Sequence, residues 1–329
     1  MTVLVTGGAG YIGSHMVLEL LDAGEKPVVL DDLSTGFRWA VPEGVPLAVG
    51  DFGDEDFVTE TIARHDVEEI AHFAAKIVVP ESVADPLGYY LNNTAKARNL
   101  LETATGCDIK RFIFSSTAAV YGDPSRNPVT EDEPLNPLSP YGRSKLMVEW
   151  MLEDVSKAHD FNYAALRYFN VAGGDPKGRS GQSTPNATHL IKVAAQTALG
   201  LRPKMQLFGT DYPTPDGTCL RDYIQVTDLA RAHMDALRYL RGGGASLVCN
   251  IGYGHGFSVK ELIETVKRIA GVDFPVEISG RRPGDSAAII ADNARAKSVL
   301  GWEPRHDDLD AIVRQALDWE KGLAARKSG

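Results

Sequence analysis

The chain has 329 residues, 43% of them hydrophobic and 24% charged, which is typical of a globular protein with about two domains, or one large domain with a lobe. Its formal net charge of −10 argues against nucleic-acid binding, which needs a basic face, and against acidic membranes as partners. Any anionic ligand must therefore be held by a few well-placed arginines.

The three cysteines, Cys107, Cys219 and Cys249, are widely spaced and suggest neither a zinc site nor a disulfide framework. The eight histidines form no metal-ligand pattern, so we expect no metal. Residues 2–5 already read as a buried strand, so we expect no signal peptide. No apolar run reaches the ~18 residues of a membrane span. We therefore expect a cytoplasmic protein.

Up to about residue 170, short apolar runs alternate with helical patterns. The predicted strands are 3–6, 28–30, 46–49, 69–73, 111–115 and 163–168. The predicted helices between them are 11–23, 55–65, 89–105 and 141–159. This alternation predicts an α/β fold with a Rossmann-type doubly wound parallel sheet.

After residue 170 the pattern changes to a smaller, mainly α lobe with loop-forming segments at 173–176 and 212–217. A strand at 246–251 is expected to return to the sheet. Helices are expected near 187–199, 258–270, 293–300 and 308–322. We therefore divide the chain into a first domain, 1–170 with a returning segment at about 225–257, and a discontinuous lobe, 171–224 and 258–329.

Residues 6–13 (TGGAGYIG) follow the first predicted strand and open the first helix. They satisfy G-x-G-x-x-G at Gly8, Gly10 and Gly13, and G-x-x-G-x-x-G at Gly7, Gly10 and Gly13. Glycine is needed because a side chain would keep a pyrophosphate away from the backbone amides and the helix N-terminus. This strand-loop-helix placement predicts a dinucleotide site.

Asp31 ends the second predicted strand, 18 residues after Gly13. A carboxylate there accepts a hydrogen bond from a ribose 2′-hydroxyl and repels a 2′-phosphate, which favours NAD over NADP. The alternative is that Asp31 is only a turn residue. Asp51 and Phe52, after the third strand, are expected to flank the adenine, although Asp51 could equally be a helix N-cap.

Tyr141 and Lys145 are four residues apart and share one face of a predicted helix. Of the 11 tyrosines, only Tyr141 has a lysine at this spacing. Lowering a tyrosine pKa from about 10 to about 7 requires roughly 4 kcal/mol. An ammonium ~4 Å away at an effective dielectric of ~20 supplies about that much. The pair therefore predicts a tyrosinate base beside a nicotinamide, although such pairs also occur on ordinary helix surfaces.

Together these features resemble the UDP-sugar 4-epimerases of the extended short-chain dehydrogenase/reductase family. The similarity covers nearly the whole chain and includes segments 6–15, 89–93, 115–122, 139–145, 166–170, 208–224 and 282–285. It implies interconversion of UDP-glucose and UDP-galactose by inversion at C4 through a transient 4-keto sugar. Tightly bound NAD would accept and return the hydride.

The resemblance also implies individual roles. Tyr141 would be the base, Lys145 would lower its pKa and hold the nicotinamide ribose, and Thr117 would hydrogen-bond the 4-hydroxyl of the sugar. Cofactor contacts are implied for Gly7, Gly10, Tyr11, Ile12, Gly13, Asp31, Asp51, Phe52, Lys76, Asn93, Tyr141, Lys145 and Tyr168. Substrate contacts are implied for Lys76, Thr117, Tyr141, Asn170, His189, Leu190, Phe208, Arg221, Arg282, Asp285 and Ile289.

Structural alternatives exist for three of these positions: Phe208 as a core residue, Arg221 as the partner of Asp222, and Asn170 as a strand-end turn residue. The chain also departs from some relatives at two positions. His189 replaces an asparagine, so its contact is expected to come from the backbone. Ile289 stands where relatives carry either a large aromatic or a small residue, which leaves the tolerance of an N-acetyl group open.

Three rival functions share part of this pattern. A sugar-nucleotide dehydratase would need an acidic pair after Thr117, where this chain has Ala118 and Ala119. A net dehydrogenase would release reduced cofactor, and a non-catalytic NAD-responsive binding protein would use the same fold without chemistry. UDP-N-acetylhexosamines and UDP-pentoses remain alternative epimerase substrates.

The helices predicted at 89–105 and 141–159 carry apolar residues on more than one face. One apolar stripe can pack on the sheet, and the surplus predicts a homodimer interface formed by this helix pair, as the family resemblance also implies. Simple burial under a loop is the alternative.

Overall fold

The computed structural model describes residues 1–185, 188–282 and 285–328. The strands are β1 (Thr2–Thr6), β2 (Lys26–Asp31), β3 (Leu47–Val49), β4 (Glu69–His72), β5 (Arg111–Ser115), β6 (Asn162–Tyr168), β7 (Asn170–Ala172), β8 (Met205–Phe208), β9 (Leu220–Arg221), β10 (Tyr223–Gln225), β11 (Leu247–Ile251), β12 (Phe257–Ser258), β13 (Val276–Ser279) and β14 (Ala288–Ile289). The helices are α1 (Tyr11–Asp22), α2 (Glu55–His65), α3 (Val79–Ala84), α4 (Pro86–Tyr90), α5 (Lys96–Gly106), α6 (Pro140–Ala158), α7 (Leu190–Ala198), α8 (Val226–Arg241), α9 (Val259–Ala270), α10 (Ala294–Leu300) and α11 (Leu309–Ser328).

The central sheet has seven parallel strands in the order β11-β6-β5-β4-β1-β2-β3, which confirms the predicted fold. The expected strand at 246–251 returns as β11 and pairs with β6. β1 pairs with β2 on one side and β4 on the other, so the strand order reverses there. In sheets of this kind, ligands bind outside the carboxyl ends of the strands at the reversal point.

Apolar cores cover both faces of the sheet. Val3 and Val5 of β1 face a core that includes α1, α8 and part of the smaller lobe. Leu4, between them, points into the opposite core, beneath α2, α5 and α6. The near-continuous apolar composition of β1 follows from this double burial.

α8 is the one long helix that the sequence analysis above does not predict. Its N-cap is Gln225, whose side chain accepts hydrogen bonds from the Thr227 and Asp228 amides, rather than one of the short polar residues that usually mark a helix start. The helical spacing of the apolar residues Val226, Leu229 and Leu237 could nevertheless have predicted α8, and these residues are buried in the structure.

The predicted helix at 89–105 begins earlier and is interrupted. Asp85 caps α4, its side chain accepting from the Gly88 amide at 3.0 Å. A π-helical turn, Leu91–Ala95, then joins α4 to α5. Such turns occur frequently at functional sites, and this one contains Asn93.

Short strand pairs organise the smaller lobe. β7 pairs with β10, β8 pairs with β13, and β9 lies between β12 and β14. These strands were not predicted, because each has only two to four residues. They bring the segments around Phe208, Arg221 and Ile289 to the carboxyl edge of the central sheet.

Candidate active site

The glycine loop makes a tight turn between β1 and α1. Gly7 has φ 71°, and a Cβ there would lie 2.6 Å from the backbone that follows β4. A Cβ on Gly13 would lie 2.2 Å from the Gly7 carbonyl oxygen. The first-turn amides of Tyr11, Ile12 and Gly13 have no carbonyl partner within the helix, and the N-cap is Gly10. The helix N-terminus therefore presents bare amides that suit an anion.

An open cavity of about 210 Å³ adjoins this loop. Gly10 and Tyr11 line one side, and Phe37 and Trp39 line another. The two aromatic rings are stacked with their centres 5.2 Å apart. A flat apolar wall beside a helix N-terminus suits a nucleotide.

Asp31 is the last residue of β2, beside the glycine loop. Its carboxylate accepts from the Ala9 amide at 2.9 Å and from the Leu33 amide at 2.8 Å. Burial raises the pKa of Asp31. The residue thus has the turn role considered above, and each oxygen keeps a lone pair for a further donor. Its contact with a cofactor ribose stays a prediction.

The structure excludes one alternative at Asp51. α2 is capped by Asp54, whose side chain accepts an amide of the first turn at 3.1 Å, so the N-cap reading of Asp51 is wrong. Asp51 instead pairs with Lys96 of α5 at 2.6 Å. Phe52 is 7% exposed and belongs to the core beneath α2 and α5.

Asn93 ties the segment after β4 to α6. Its Oδ1 accepts from the Lys76 amide at 2.8 Å, while its Nδ2 donates to the Lys76 carbonyl at 2.9 Å and to the Ser144 hydroxyl at 3.1 Å. Asn93 is 2% exposed. Because both amide hydrogens are engaged within the protein, the side chain positions the backbone of Lys76. The Lys76 side chain itself is exposed.

Tyr141 lies in the first turn of α6, which Ser139 caps by accepting from the Gly142 amide at 3.2 Å. The phenol is buried, and the hydroxyl of Thr117, which follows β5, lies close enough to influence its pKa. Thr117 Oγ1 also accepts from the Ala119 amide at 3.1 Å, which fixes its rotamer. Burial raises the pKa of Tyr141, and the Thr117 hydrogen bond opposes this rise.

Lys145 follows one turn later and is 2% exposed. Its Nζ lies 4.5 Å from the centre of the Phe114 ring on β5. Burial lowers the pKa of Lys145 to about 7, and the Glu149 carboxylate opposes this fall. Tyr141 and Lys145 are both buried and lie one turn apart on α6. The electrostatics differ from the expectation, because burial dominates at both groups and keeps the tyrosine pKa above its usual value.

Tyr168, at the end of β6, lies on the same edge of the sheet. Its hydroxyl is 2.9 Å from the Ser115 hydroxyl at the end of β5. Burial and the charge of Tyr141 both raise the pKa of Tyr168.

A second group of predicted residues comes together in the smaller lobe. The Arg282 guanidinium lies 3.8 Å from the centre of the Phe208 ring. Arg221 donates to the Leu220 and Ser286 carbonyls at 2.9 Å each. These groups approach one another from β8, β9 and the segment before β14.

The alternative partner for Arg221 is wrong. Its guanidinium lies 3.6 Å from the Asp285 carboxylate, whereas the Asp222 carboxylate accepts the amides of Tyr253 and Gly254 at 2.9 and 3.0 Å. Phe208 is only half-buried, so it is not a core residue. A guanidinium stacked on an aromatic ring and a second arginine are groups that suit a nucleoside diphosphate.

Asn170 and Ile289 lie between the two groups. Asn170 Nδ2 donates to the Asp222 carbonyl at 3.4 Å, at the start of β7. Ile289 on β14 is in register with Arg221 on β9 and packs, half-buried, on a small apolar cluster that includes Val129.

His189 and Leu190 start α7 at the opposite wall. The His189 Nδ1 lies 3.2 Å from the Gln182 Nε2, and burial lowers the pKa of His189. His189 lines an open cavity of about 340 Å³ that also reaches Tyr11. The backbone of His189 is extended, and its side chain does not cap α7. The predicted contact through the backbone therefore stays a prediction that this geometry allows.

Sequence reasoning missed a buried polar group behind the site. Glu149 on α6 accepts from Ser116 and from Arg167 of β6. Both donors adjoin predicted site residues, Thr117 and Tyr168. The sequence does contain a signal for this group, because Glu149 follows Lys145 at the same four-residue spacing that separates Tyr141 from Lys145.

Metal sites and membrane-spanning helices are two further features that bear on function. In the ranges 1–185, 188–282 and 285–328, no group of three or more His, Cys, Asp or Glu is arranged to hold a metal ion. Over the same part of the chain, no helix is both long and apolar enough to cross a membrane.

Comparison with known proteins agrees with this geometry. A sequence profile of the NAD dependent epimerase/dehydratase family matches residues 3–252. The UDP-glucose 4-epimerase of Azospirillum brasilense is 54% identical over 321 residues, which cover 98% of this chain and 92% of that protein.

Solved structures give the same result. The UDP-glucose 4-epimerase of Brucella ovis, in complex with NAD, superposes with a TM-score of 0.94 at 44% identity, covering 96% of this chain and 97% of that one. The UDP-Glc/GlcNAc 4-epimerase of Campylobacter jejuni gives a TM-score of 0.86 at 47% identity, covering 98% and 99%. The chain belongs to the NAD dependent epimerase/dehydratase family.

Proposed function

We propose that this protein is a UDP-glucose 4-epimerase, which interconverts UDP-glucose and UDP-galactose by inversion at C4. The observation that carries the proposal is the meeting of Thr117, Tyr141 and Lys145 at the carboxyl edge of the sheet, next to the glycine loop. The relatives from Azospirillum and Brucella, at 54% and 44% identity, support the choice of sugar.

The residues around the glycine loop fit NAD. The bare amides after Gly10 suit the pyrophosphate, and the Asp31 carboxylate suits a ribose 2′-hydroxyl. Lys76 and Asn93 supply the next part of the binding wall, and Lys145 lies where it can reach the nicotinamide ribose. Bound here, NAD supplies the acceptor and donor of a hydride at C4 of the sugar.

Tyr141 is the general base that takes the O4 proton, and Thr117 hydrogen-bonds the same oxygen. The Thr117 hydrogen bond stabilises the phenolate, since it opposes the pKa rise caused by burial. Lys145 supports the phenolate in its ammonium form. Because burial brings the pKa of Lys145 to about 7, its charge state is sensitive to every nearby carboxylate.

The nucleotide end of the substrate is anchored by the smaller lobe. Arg221 and Arg282 hold the diphosphate together with Asn170, Phe208 lies against the uracil, and Asp285 accepts from its ribose. A sugar that is held through this distant handle can turn over inside the cleft. Such a turn presents the opposite face of the 4-keto sugar to the same hydride donor.

The proposal assigns residues 1–170, with 225–257, to NAD binding, and residues 171–224 and 258–329 to the UDP-sugar. Ala118 and Ala119 form a 3-10 turn after Thr117, so the acidic pair of a dehydratase is replaced by methyl groups. N-acetylated sugars are a second substrate class, which the 47% identity to the Campylobacter UDP-Glc/GlcNAc 4-epimerase favours.

We also propose a cytoplasmic homodimer. All three cysteines are free, which suits a reducing compartment. Val83, Leu87, Leu91 and Trp150, on the helices from α3 to α6, are 64%, 78%, 60% and 54% exposed. α3 and α4 both pack against α6, and these exposed apolar side chains are the candidate surface that a second copy of the chain can cover.

The direct test is incubation of the purified protein with UDP-galactose, followed by chromatographic separation of the UDP-sugars. Epimerisation predicts accumulation of UDP-glucose without net change in nicotinamide absorbance. Stoichiometric growth of that absorbance would instead indicate a net dehydrogenase. Loss of the 6-hydroxyl in the product would indicate a dehydratase. UDP-N-acetylglucosamine and UDP-xylose in parallel reactions define the sugar preference.

A further inference from the structure

Glu149 is a buried carboxylate in line with the two catalytic candidates of α6. Tyr141, Lys145 and Glu149 are spaced by four residues each, so they follow one face of the helix. Glu149 is 4% exposed. A carboxylate is expensive to bury, so its position behind the site requires strong compensating contacts.

Those contacts join three segments that carry site residues. Glu149 Oε1 accepts from the Ser116 hydroxyl at 2.5 Å and from Arg167 Nε at 3.0 Å. Oε2 accepts from Arg167 Nη2 at 2.5 Å. Ser116 precedes Thr117, and Arg167 precedes Tyr168. One carboxylate therefore links α6 to the ends of β5 and β6.

The charges that face Lys145 are few. From α6 they are Tyr141 and Glu149, and from β4 the facing group is His72, which burial keeps neutral by lowering its pKa to about 3. From β5, Lys145 meets the uncharged Phe114 ring. Arg167 on β6 offsets part of the Glu149 charge, but the carboxylate is the group whose field raises the pKa of Lys145.

We propose that Glu149 is a positioning residue that increases the protonated fraction of Lys145 and holds the Thr117 segment against α6. This inference rests on the proposed function, in which Tyr141 ionises beside a charged Lys145. Glu149 acts through Lys145 and through Ser116, without contacting the reacting atoms.

The test compares Glu149→Gln with wild type in the holoenzyme. In the proposal, kcat falls at alkaline pH as Lys145 loses its proton. We expect this alkaline limb to move to lower pH by about one pH unit, because the variant lacks a partly compensated negative charge one helical turn from Lys145. The matched control is Glu153→Gln on the same helix, whose side chain is 55% exposed in an ion pair with Lys157. That variant should leave the limb in place.

A second readout is independent of turnover. Ultraviolet difference titration, with Tyr141→Phe as the reference, measures the ionised fraction of Tyr141 at each pH. Glu149→Gln should lower that fraction, because Lys145 loses charge. If Glu149 acted directly on Tyr141, removing its negative charge would instead favour the phenolate. A larger phenolate fraction in Glu149→Gln would therefore overturn the inference. This titration also applies if wild type fails to epimerise any UDP-sugar, which would reject the proposed function alone.

Two further variants separate charge from structure. Glu149→Asp retains the charge, so it should keep the limb in place even where stability falls. Should Glu149→Gln not fold, Arg167→Gln removes the compensating cation, and the limb should then move to higher pH. An activity loss of equal factor at every pH, with an unmoved limb, would show a purely structural role.

Discussion

Thr117, after the end of β5, lies close enough to Tyr141, in the first turn of α6, for its hydroxyl to oppose the rise that burial causes in the pKa of the phenol. The two side chains come from different segments and are both buried. The same hydroxyl is the group proposed to meet O4 of the sugar. One hydroxyl can therefore interact with both the base and the reacting oxygen, by donating to one and accepting from the other.

The variant Thr117→Val tests this relationship, because valine matches the shape of threonine and removes the hydroxyl. We expect kcat to fall by about tenfold to a hundredfold, the cost of one hydrogen bond to a developing charge. Steady-state assays with UDP-galactose give the value. Thr117→Ser keeps the hydroxyl and should stay within about threefold of wild type; a serine variant as impaired as the valine variant would refute the role.

Lys145→Met should abolish most activity and stabilise the fold. Burial holds the pKa of Lys145 at about 7, below the value of about 10.4 in the unfolded chain. As the pH falls from about 10 to about 7, the unfolded chain takes up a proton that the native protein does not, so native stability is lost. Removing the amine restores it.

The gain in unfolding free energy should therefore be largest below about pH 7, on the order of a few kcal/mol, and should vanish towards about pH 10. Urea unfolding of both proteins at about pH 6.5 and at about pH 10 gives the difference in unfolding free energy below and above this range. Lys157→Met, which changes an exposed lysine of the same helix, should alter stability little at either pH. A lower stability of Lys145→Met at the acidic end would contradict the burial argument.

Gly13→Ala should prevent NAD from being retained through purification. Its Cβ would lie 2.2 Å from the Gly7 carbonyl oxygen, so the loop must open and its amides must turn away from the pyrophosphate. Absorbance of the nucleotide released on denaturation gives the NAD content. Gly322→Ala places a methyl group in open space on α11 and should retain NAD as wild type does. Equal NAD content in both variants would remove the loop from the cofactor site.

Leu87→Glu should convert the proposed dimer into a monomer, because it places a charge in the centre of the apolar surface. Light scattering at micromolar concentration measures the mass. Leu201→Glu is the control, since that leucine is also exposed, at 52%, but lies in the smaller lobe. A monomeric wild type under these conditions would reject the dimer proposal.

The strands of the central sheet and the helix face that carries Tyr141 and Lys145 were predictable because their signals are local. The alternation of buried runs and helices is written in the sequence, and the spacing of Tyr141 and Lys145 fixes one helix face. The glycine loop was equally readable, because its glycine spacing and its place between a strand and a helix are both local features of the sequence.

What was missed comprises two helix caps with weak or ambiguous local signals and several contacts between distant segments. α8 starts at a glutamine cap, and the choice between Asp51 and Asp54 as the cap of α2 requires the observed backbone. The link from Glu149 to Ser116 and Arg167 joins three elements. Pairing of Arg221 with Asp285 rather than with its neighbour likewise follows from tertiary packing.

The electrostatics were the least predictable part. From spacing alone, Lys145 should lower the pKa of Tyr141. In the folded protein, burial acts on both groups and discourages charge on each. Desolvation depends on how completely the surrounding elements close over the pair, which no local pattern in the sequence encodes.

The measurement that tests the central claim most directly is turnover of UDP-galactose by Tyr141→Phe, which removes only the phenol oxygen. The account predicts that kcat falls by about 10²- to 10⁴-fold while NAD content and the unfolding midpoint match wild type. Turnover within about tenfold of wild type, in a variant that retains its NAD, would mean that another group takes the proton.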